Sequence, residues 1–215
     1  MARPHHLGEP VMEVLLPPAG RGRGVLVVHP WWGLNQTIRD YGAAVAQQGL
    51  AVGLPDLFEG AVVTEPAAAE ALVGAHWQQA VGKLGVALAE LGAHPAVTSP
   101  SLGAIGFSFG GFQLLRLIGP ETPALRALVV YYAAHVGNFK TGHTKVLAHF
   151  AESDAFDGPE EQRDMAEALA AAKAGVVITH SGTKHWFAEA DRPEYDRTAA
   201  DLAFGETVAF LNAHL

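Results

Sequence analysis

Apolar residues gather in short, near-continuous runs at 25–28, 50–54, 102–107, 127–132, 146–150 and 176–179. Runs of that length, rich in Val, Ile and Leu, predict strands buried on both faces. A weaker alternation over 11–15, ended by Pro17 and Pro18, predicts an edge strand. Helix-compatible stretches lie between the runs. One of about a dozen residues is capped by Asn35 or Thr37 and ends at Gly49. The Ala-rich stretch 66–91 reads as helical, either one helix or two divided near Gly82 or Gly85. Further helices are predicted over 112–118, stopped by Gly119-Pro120, over 159–174, with Pro159 in the first turn, and over 196–215. Strands alternating with helices along nearly the whole length predict an α/β fold with a mostly parallel sheet covered on both faces. Nothing in the middle reads as a linker, so residues 1–215 are expected to form one domain. Such sheets place their sites at the carboxyl ends of the strands. The loops to inspect therefore follow His29, Leu54, Phe107, Tyr132, Phe150 and His180.

Composition narrows the function. Forty-nine per cent hydrophobic residues suffice for a two-faced core, and 17% charged argues against disorder. A net charge of −8, with no Lys/Arg run, argues against a nucleic-acid partner. Cysteine is absent, which removes disulfides, thiolate metal sites and a cysteine nucleophile together. The first ten residues hold no apolar signal region, and no apolar run is long enough to span a membrane. A cytoplasmic protein without membrane contact is expected. Gly20-Arg21-Gly22-Arg23-Gly24 precedes a strand rather than following one, so it reads as a flexible turn and not a phosphate loop. The eleven histidines show no H-x₃-H or H-E-x-x-H spacing on a predicted helix. His135, His143 and His149 are the one grouping that could converge; no metal is expected.

One stretch carries chemistry. Gly106-Phe107-Ser108-Phe109-Gly110-Gly111 closes one apolar run and opens another, as a G-x-S-x-G elbow between strand and helix does. Its glycines allow strand and helix to approach closely at the turn. The turn presents the Ser108 hydroxyl and aims the Phe109 N–H where an oxyanion would form. A serine hydroxyl needs a base within hydrogen-bond reach, itself oriented by a third group. In folds with this elbow those partners follow in the order Ser, Asp/Glu, His. The loop after Phe150 offers Glu152, Asp154 and Asp157; the loop after the last strand offers His185.

The elbow, His29-Pro30-Trp31-Trp32-Gly33-Leu34-Asn35, Pro55-Asp56-Leu57-Phe58, Tyr131-Tyr132 and His185-Trp186-Phe187 with Arg192-Pro193 and Tyr195 together resemble the dienelactone hydrolase family. The resemblance runs from about Val25 to the C-terminus and implies an α/β-hydrolase fold. It implies Ser108 as nucleophile, Asp154 as orienting acid and His185 as base, with the backbone N–H groups of Phe109 and Trp31 as oxyanion hole. It further implies hydrolysis of a small ester or lactone through an acyl-enzyme, with no cofactor and no metal. Trp32, Tyr131 and Trp186 are expected to line the substrate pocket. Well-known members carry cysteine at the elbow and a glutamate where Pro30 stands here; a serine nucleophile driven by His185 suits that change. Glu189 stands where those members bind a substrate carboxylate with arginine. A carboxylate there would repel an anion, so a neutral ester or lactone is expected. Two other readings stay open: a non-catalytic binding protein on the same scaffold, and an acyltransferase or thioesterase.

Overall fold

The computed structural model describes residues 12–140 and 142–215. The first ten residues and the start of the expected edge strand, Val11, lie outside the described residues. Seven strands form one sheet: β1 (Met12–Leu15), β2 (Arg23–Val28), β3 (Leu50–Pro55), β4 (Leu102–Phe107), β5 (Leu125–Tyr131), β6 (Lys145–Ser153) and β7 (Gly175–Lys184). Their order across the sheet is β1-β3-β2-β4-β5-β6-β7. All neighbours pair in parallel except β1, which runs antiparallel to β3 at the edge. This is the mostly parallel sheet that the apolar runs predict.

Helices α1 (Gln36–Gln47), α2 (Pro66–Ala93), α3 (Phe109–Leu117), α4 (Pro159–Ala172) and α5 (Arg197–His214) fill the intervals. The Asn35 side chain accepts from the Ile38 N–H at 3.1 Å and so caps α1. Along the buried strands alternate residues feed opposite cores. Leu26, Val28, Leu128 and Val130 pack with Leu84, Leu114 and Met165 of α2, α3 and α4. Val25, Val27, Val129 and Tyr131 pack with Ile38, Val45, Ala203 and Leu211 of α1 and α5.

Residues 66–93 form one helix of 28 residues, which settles the helical stretch as undivided. Glycine within a helix costs only about 1 kcal/mol, and without a proline nothing forces a break at Gly82 or Gly85. The 20–24 segment, by contrast, is not the flexible turn expected. Gly22 bridges to Val97, and a Cβ on it would lie 2.2 Å from the Gly49 carbonyl oxygen, so only glycine fits that contact. β7 also extends five residues beyond the expected 179, because its second half is a partly solvated edge whose polar residues hide the strand. Among the described residues no helix is long and apolar enough to cross a membrane.

Candidate active site

The elbow forms as a strained turn between β4 and α3. Ser108 has φ 46° and ψ −115°, a region that side-chain-bearing residues avoid, and its N–H donates to the Tyr131 carbonyl at 2.9 Å. The two flanking glycines serve different contacts. A Cβ on Gly106 would sit 2.6 Å from the Gly111 backbone, so this glycine lets helix meet strand. A Cβ on Gly110 would sit 2.5 Å from the His29 oxygen and 2.9 Å from the Val28 oxygen. It therefore seats the helix on the neighbouring strand, β2, rather than on its own.

Three strand ends deliver three side chains to one place. His185, just past β7, brings Nε2 to 2.9 Å from Ser108 Oγ. Its Nδ1 lies 2.8 Å and 2.9 Å from the two oxygens of Asp154, just past β6. Asp154 Oδ1 also accepts from the N–H groups of Phe156 (2.8 Å) and Asp157 (3.0 Å). Burial alone would raise the Asp154 carboxyl. The hydrogen bond and charge of His185, with those two N–H donors, outweigh it and hold the group below its ordinary range. Asp154 thus stays an anion beside the imidazole. Glu152, the first carboxylate after Phe150, is engaged elsewhere, accepting from Ser181 Oγ and the Gly182 N–H.

A cavity of about 190 Å³ opens over Ser108 and His185. Trp31, Trp77, Phe109, Phe112, Phe156 and Trp186 give it aromatic walls, and Asp157 is the single carboxyl in its lining. Trp31 and Trp186 stack at 5.9 Å, and Phe156 lies edge-on to Trp31 and 4.6 Å from the His185 ring. Burial, with the charges of Asp154 and Glu161, pushes the Asp157 carboxyl up to about 7 against the opposing Ala134 N–H. Trp77, Phe112, Phe156 and Asp157 had no signal as lining residues in the sequence. They come from helices and a loop that meet only in the folded chain.

Other expected residues sit elsewhere. Tyr131 is fully buried on the far face of the sheet, bonded to Thr207 of α5 at 2.7 Å and to Tyr41 of α1 at 3.0 Å. Strand alternation points it away from the cavity. Trp32 lies behind the cavity wall, with the Arg192 guanidinium 4.4 Å over its ring. Glu189 does not face substrate space: it is fully buried and accepts from the Tyr132 hydroxyl at 2.8 Å. Repulsion by Glu189 therefore gives no argument about substrate charge. His29 links two strand-end loops. Its Nδ1 meets the Pro30 oxygen at 2.6 Å, and its Nε2 accepts from the Leu57 N–H at 3.0 Å. Burial lowers it to about 4, which keeps it neutral for that double role. The histidine grouping that could have converged does not form. His135 packs on Phe112 of α3, whereas His149 faces α5 across the sheet.

A parallel sheet with a strained serine elbow and its site at the strand ends defines an α/β-hydrolase fold. A profile described as "Dienelactone hydrolase family" matches residues 12–215, and the chain belongs to that family of hydrolases. Protein usf of Aquifex pyrophilus is 29% identical over 222 residues, covering 97% of this chain and 95% of that protein. Among solved structures, a dienelactone hydrolase-like promiscuous phosphotriesterase from metagenomic libraries superposes with a TM-score of 0.82 at 21% identity, covering 94% of this chain and 92% of that one. Esterase 2 of Thermogutta terrifontis, phosphonylated by cyclosarin, gives a TM-score of 0.68 at 17% identity over 94% of this chain and 88% of that one.

Proposed function

We propose that this protein is a serine hydrolase for small, neutral, apolar esters or lactones, with Ser108, His185 and Asp154 as its catalytic triad. One observation carries the reading: a single imidazole lies within hydrogen-bond distance of a strained serine hydroxyl on one side and a buried carboxylate on the other. As the hydroxyl attacks the ester carbonyl, His185 Nε2 takes its proton. Asp154 holds the ring in the tautomer that leaves Nε2 free and stabilises the imidazolium that forms. Phe109 is the first residue of α3, so its N–H has no acceptor within the helix. That N–H and the Trp31 N–H are the proposed donors to the oxyanion. His185 then protonates the leaving alcohol, and water repeats the sequence on the acyl-enzyme. The aromatic walls suit an apolar acyl or aryl group, and the small volume suits a short one.

The test is twofold. A fluorophosphonate probe should label Ser108, and p-nitrophenyl acetate should be hydrolysed with a loss of about 10⁴–10⁶ in kcat for Ser108→Ala. Absence of labelling in a folded, wild-type protein would favour the non-catalytic reading; undiminished turnover in Ser108→Ala would refute the nucleophile.

A further inference from the structure

We propose that His149 Nδ1, His180 Nε2 and Glu206 Oε2 form a binding site for a divalent transition metal of the zinc class, separate from the serine site. The three atoms lie within 4.8 Å of one another and come from β6, β7 and α5. His149 Nδ1 is 3.0 Å from His180 Nε2 and 3.7 Å from Glu206 Oε2. Ligand atoms around a zinc ion, each about 2.0–2.1 Å from it, stand about 3.0–3.7 Å apart. Both separations measured from His149 Nδ1 fall in that range.

Two further observations point the same way. Glu206 Oε2 is buried and has no hydrogen-bond partner, although a carboxylate oxygen out of water normally finds one. The other nitrogen of His149 is held by outer groups, as metal-binding histidines usually are. His149 Nε2 lies 3.2 Å from Thr207 Oγ1, which bonds the Tyr131 hydroxyl, which in turn bonds Tyr41.

The donor set selects the ion. Two imidazoles and one carboxylate suit zinc, cobalt or nickel, while calcium and magnesium require more oxygens than this site offers. A groove lined by Ile178, His180, Ser181, Asp196 and Leu202 gives access from the surface. A bound ion would tie α5 to β6 and β7, the strands whose ends carry Asp154 and His185. Its effect is on stability, not on a chemical step.

Cobalt(II) reports the site directly. Full-length protein stripped with a chelator and titrated with Co²⁺ should bind about one equivalent with the visible bands of a low-coordinate ion, displaced by Zn²⁺. Zn²⁺ should raise the wild-type melting temperature by several degrees, as preferential binding to the folded state requires. Glu206→Gln, on the accessible side of α5, should weaken Co²⁺ binding at least tenfold and abolish the thermal shift. His180→Ala provides a second variant with the same expectation. Absence of cobalt bands and of a thermal shift in the wild type would overturn the proposal. So would Co²⁺ binding that survives both variants but is lost in Asp157→Asn, which would place the ion on the Asp154, Asp157 and His185 group instead.

Discussion

The phenolic hydroxyl of Tyr132 donates to Glu189 Oε1 at 2.8 Å, while its ring lies 4.7 Å from the imidazole of His185. A fully buried carboxyl thus sits one side chain away from the proposed base. Burial, with the charges of Asp191 and Glu194, pushes Glu189 from 4.5 up to about 8, against the Tyr132 hydrogen bond and the Arg192 charge. The folded protein therefore holds a proton there that the unfolded chain releases at lower pH. Stability from this group is fully present below the unfolded value and is lost as pH rises through about 8. The slope approaches 1.4 kcal/mol per pH unit at its steepest. Urea denaturation between pH 6 and 9 should show a shallower decline for Glu189→Gln than for the wild type. Parallel declines would place the buried proton elsewhere.

Backbone strain is concentrated at the same place. Of the five non-glycine residues with positive φ among the described residues, Ser108 (46°), Tyr132 (39°) and Trp186 (69°) surround the cavity or support it. Such conformations cost about 1–3 kcal/mol each and persist only where the surroundings enforce them. Ser108→Gly relieves the strain at the elbow and removes the hydroxyl. It should abolish ester hydrolysis while raising stability by about 1 kcal/mol, whereas Ser108→Ala should abolish hydrolysis without that gain. Matched thermal denaturation of the two variants checks this. Equal stability would mean that the serine conformation stores nothing.

What the sequence revealed, and what it hid, follows from how local each signal is. Strands β2 to β6 are legible because each holds a near-continuous apolar run. The elbow is legible because its glycines are required within six consecutive positions. The order Ser108, Asp154, His185 is legible because chain order tracks strand order in this fold. The cavity wall is not, since Trp77 comes from α2 and Phe112 from α3, and neither stands out in its own segment. The adjacent pair Tyr131-Tyr132 misleads for a related reason. One residue obeys strand alternation, while the positive φ of the next places it beside His185, and no local pattern announces that change. His149 and His180 are polar residues hidden in strands, visible as a pair only once β6 and β7 are side by side.

Glycine roles can be separated by substitution. Gly110→Ala drives a methyl group into the His29 carbonyl, a backbone atom that cannot move without displacing β2. A loss of about 2–4 kcal/mol is expected, at the upper end of what overpacking costs. Gly205 lies within α5, exposed, and a Cβ added there would meet no neighbouring atom within 4 Å. Gly205→Ala should therefore stabilise the protein by up to about 1 kcal/mol. Opposite signs in chemical denaturation are the expected result. A tolerated alanine at 110 would mean that the elbow helix is not seated on β2.

Asp157 makes the cavity's preference for substrate charge depend on pH. Its carboxyl lies in the cavity lining and is raised to about 7, chiefly by burial and then by Asp154 and Glu161. Below that value it is neutral; above it, an anion faces the substrate within an apolar wall. The charge adds to that of Asp154, which stays ionised throughout. An anionic ester should therefore lose ground to a neutral ester of the same shape as pH rises from 6 to 8. Like charges about 6 Å apart near a protein surface repel by roughly 1–3 kcal/mol, so the ratio of kcat/KM values should change about tenfold. Comparing the ratio, rather than either rate, cancels any pH dependence that both substrates share. Asp157→Asn keeps the shape, removes the ionisation and should make the ratio flat. A ratio that still falls in this variant would assign the repulsion to another group, and a flat wild-type ratio would mean that substrate does not approach Asp157.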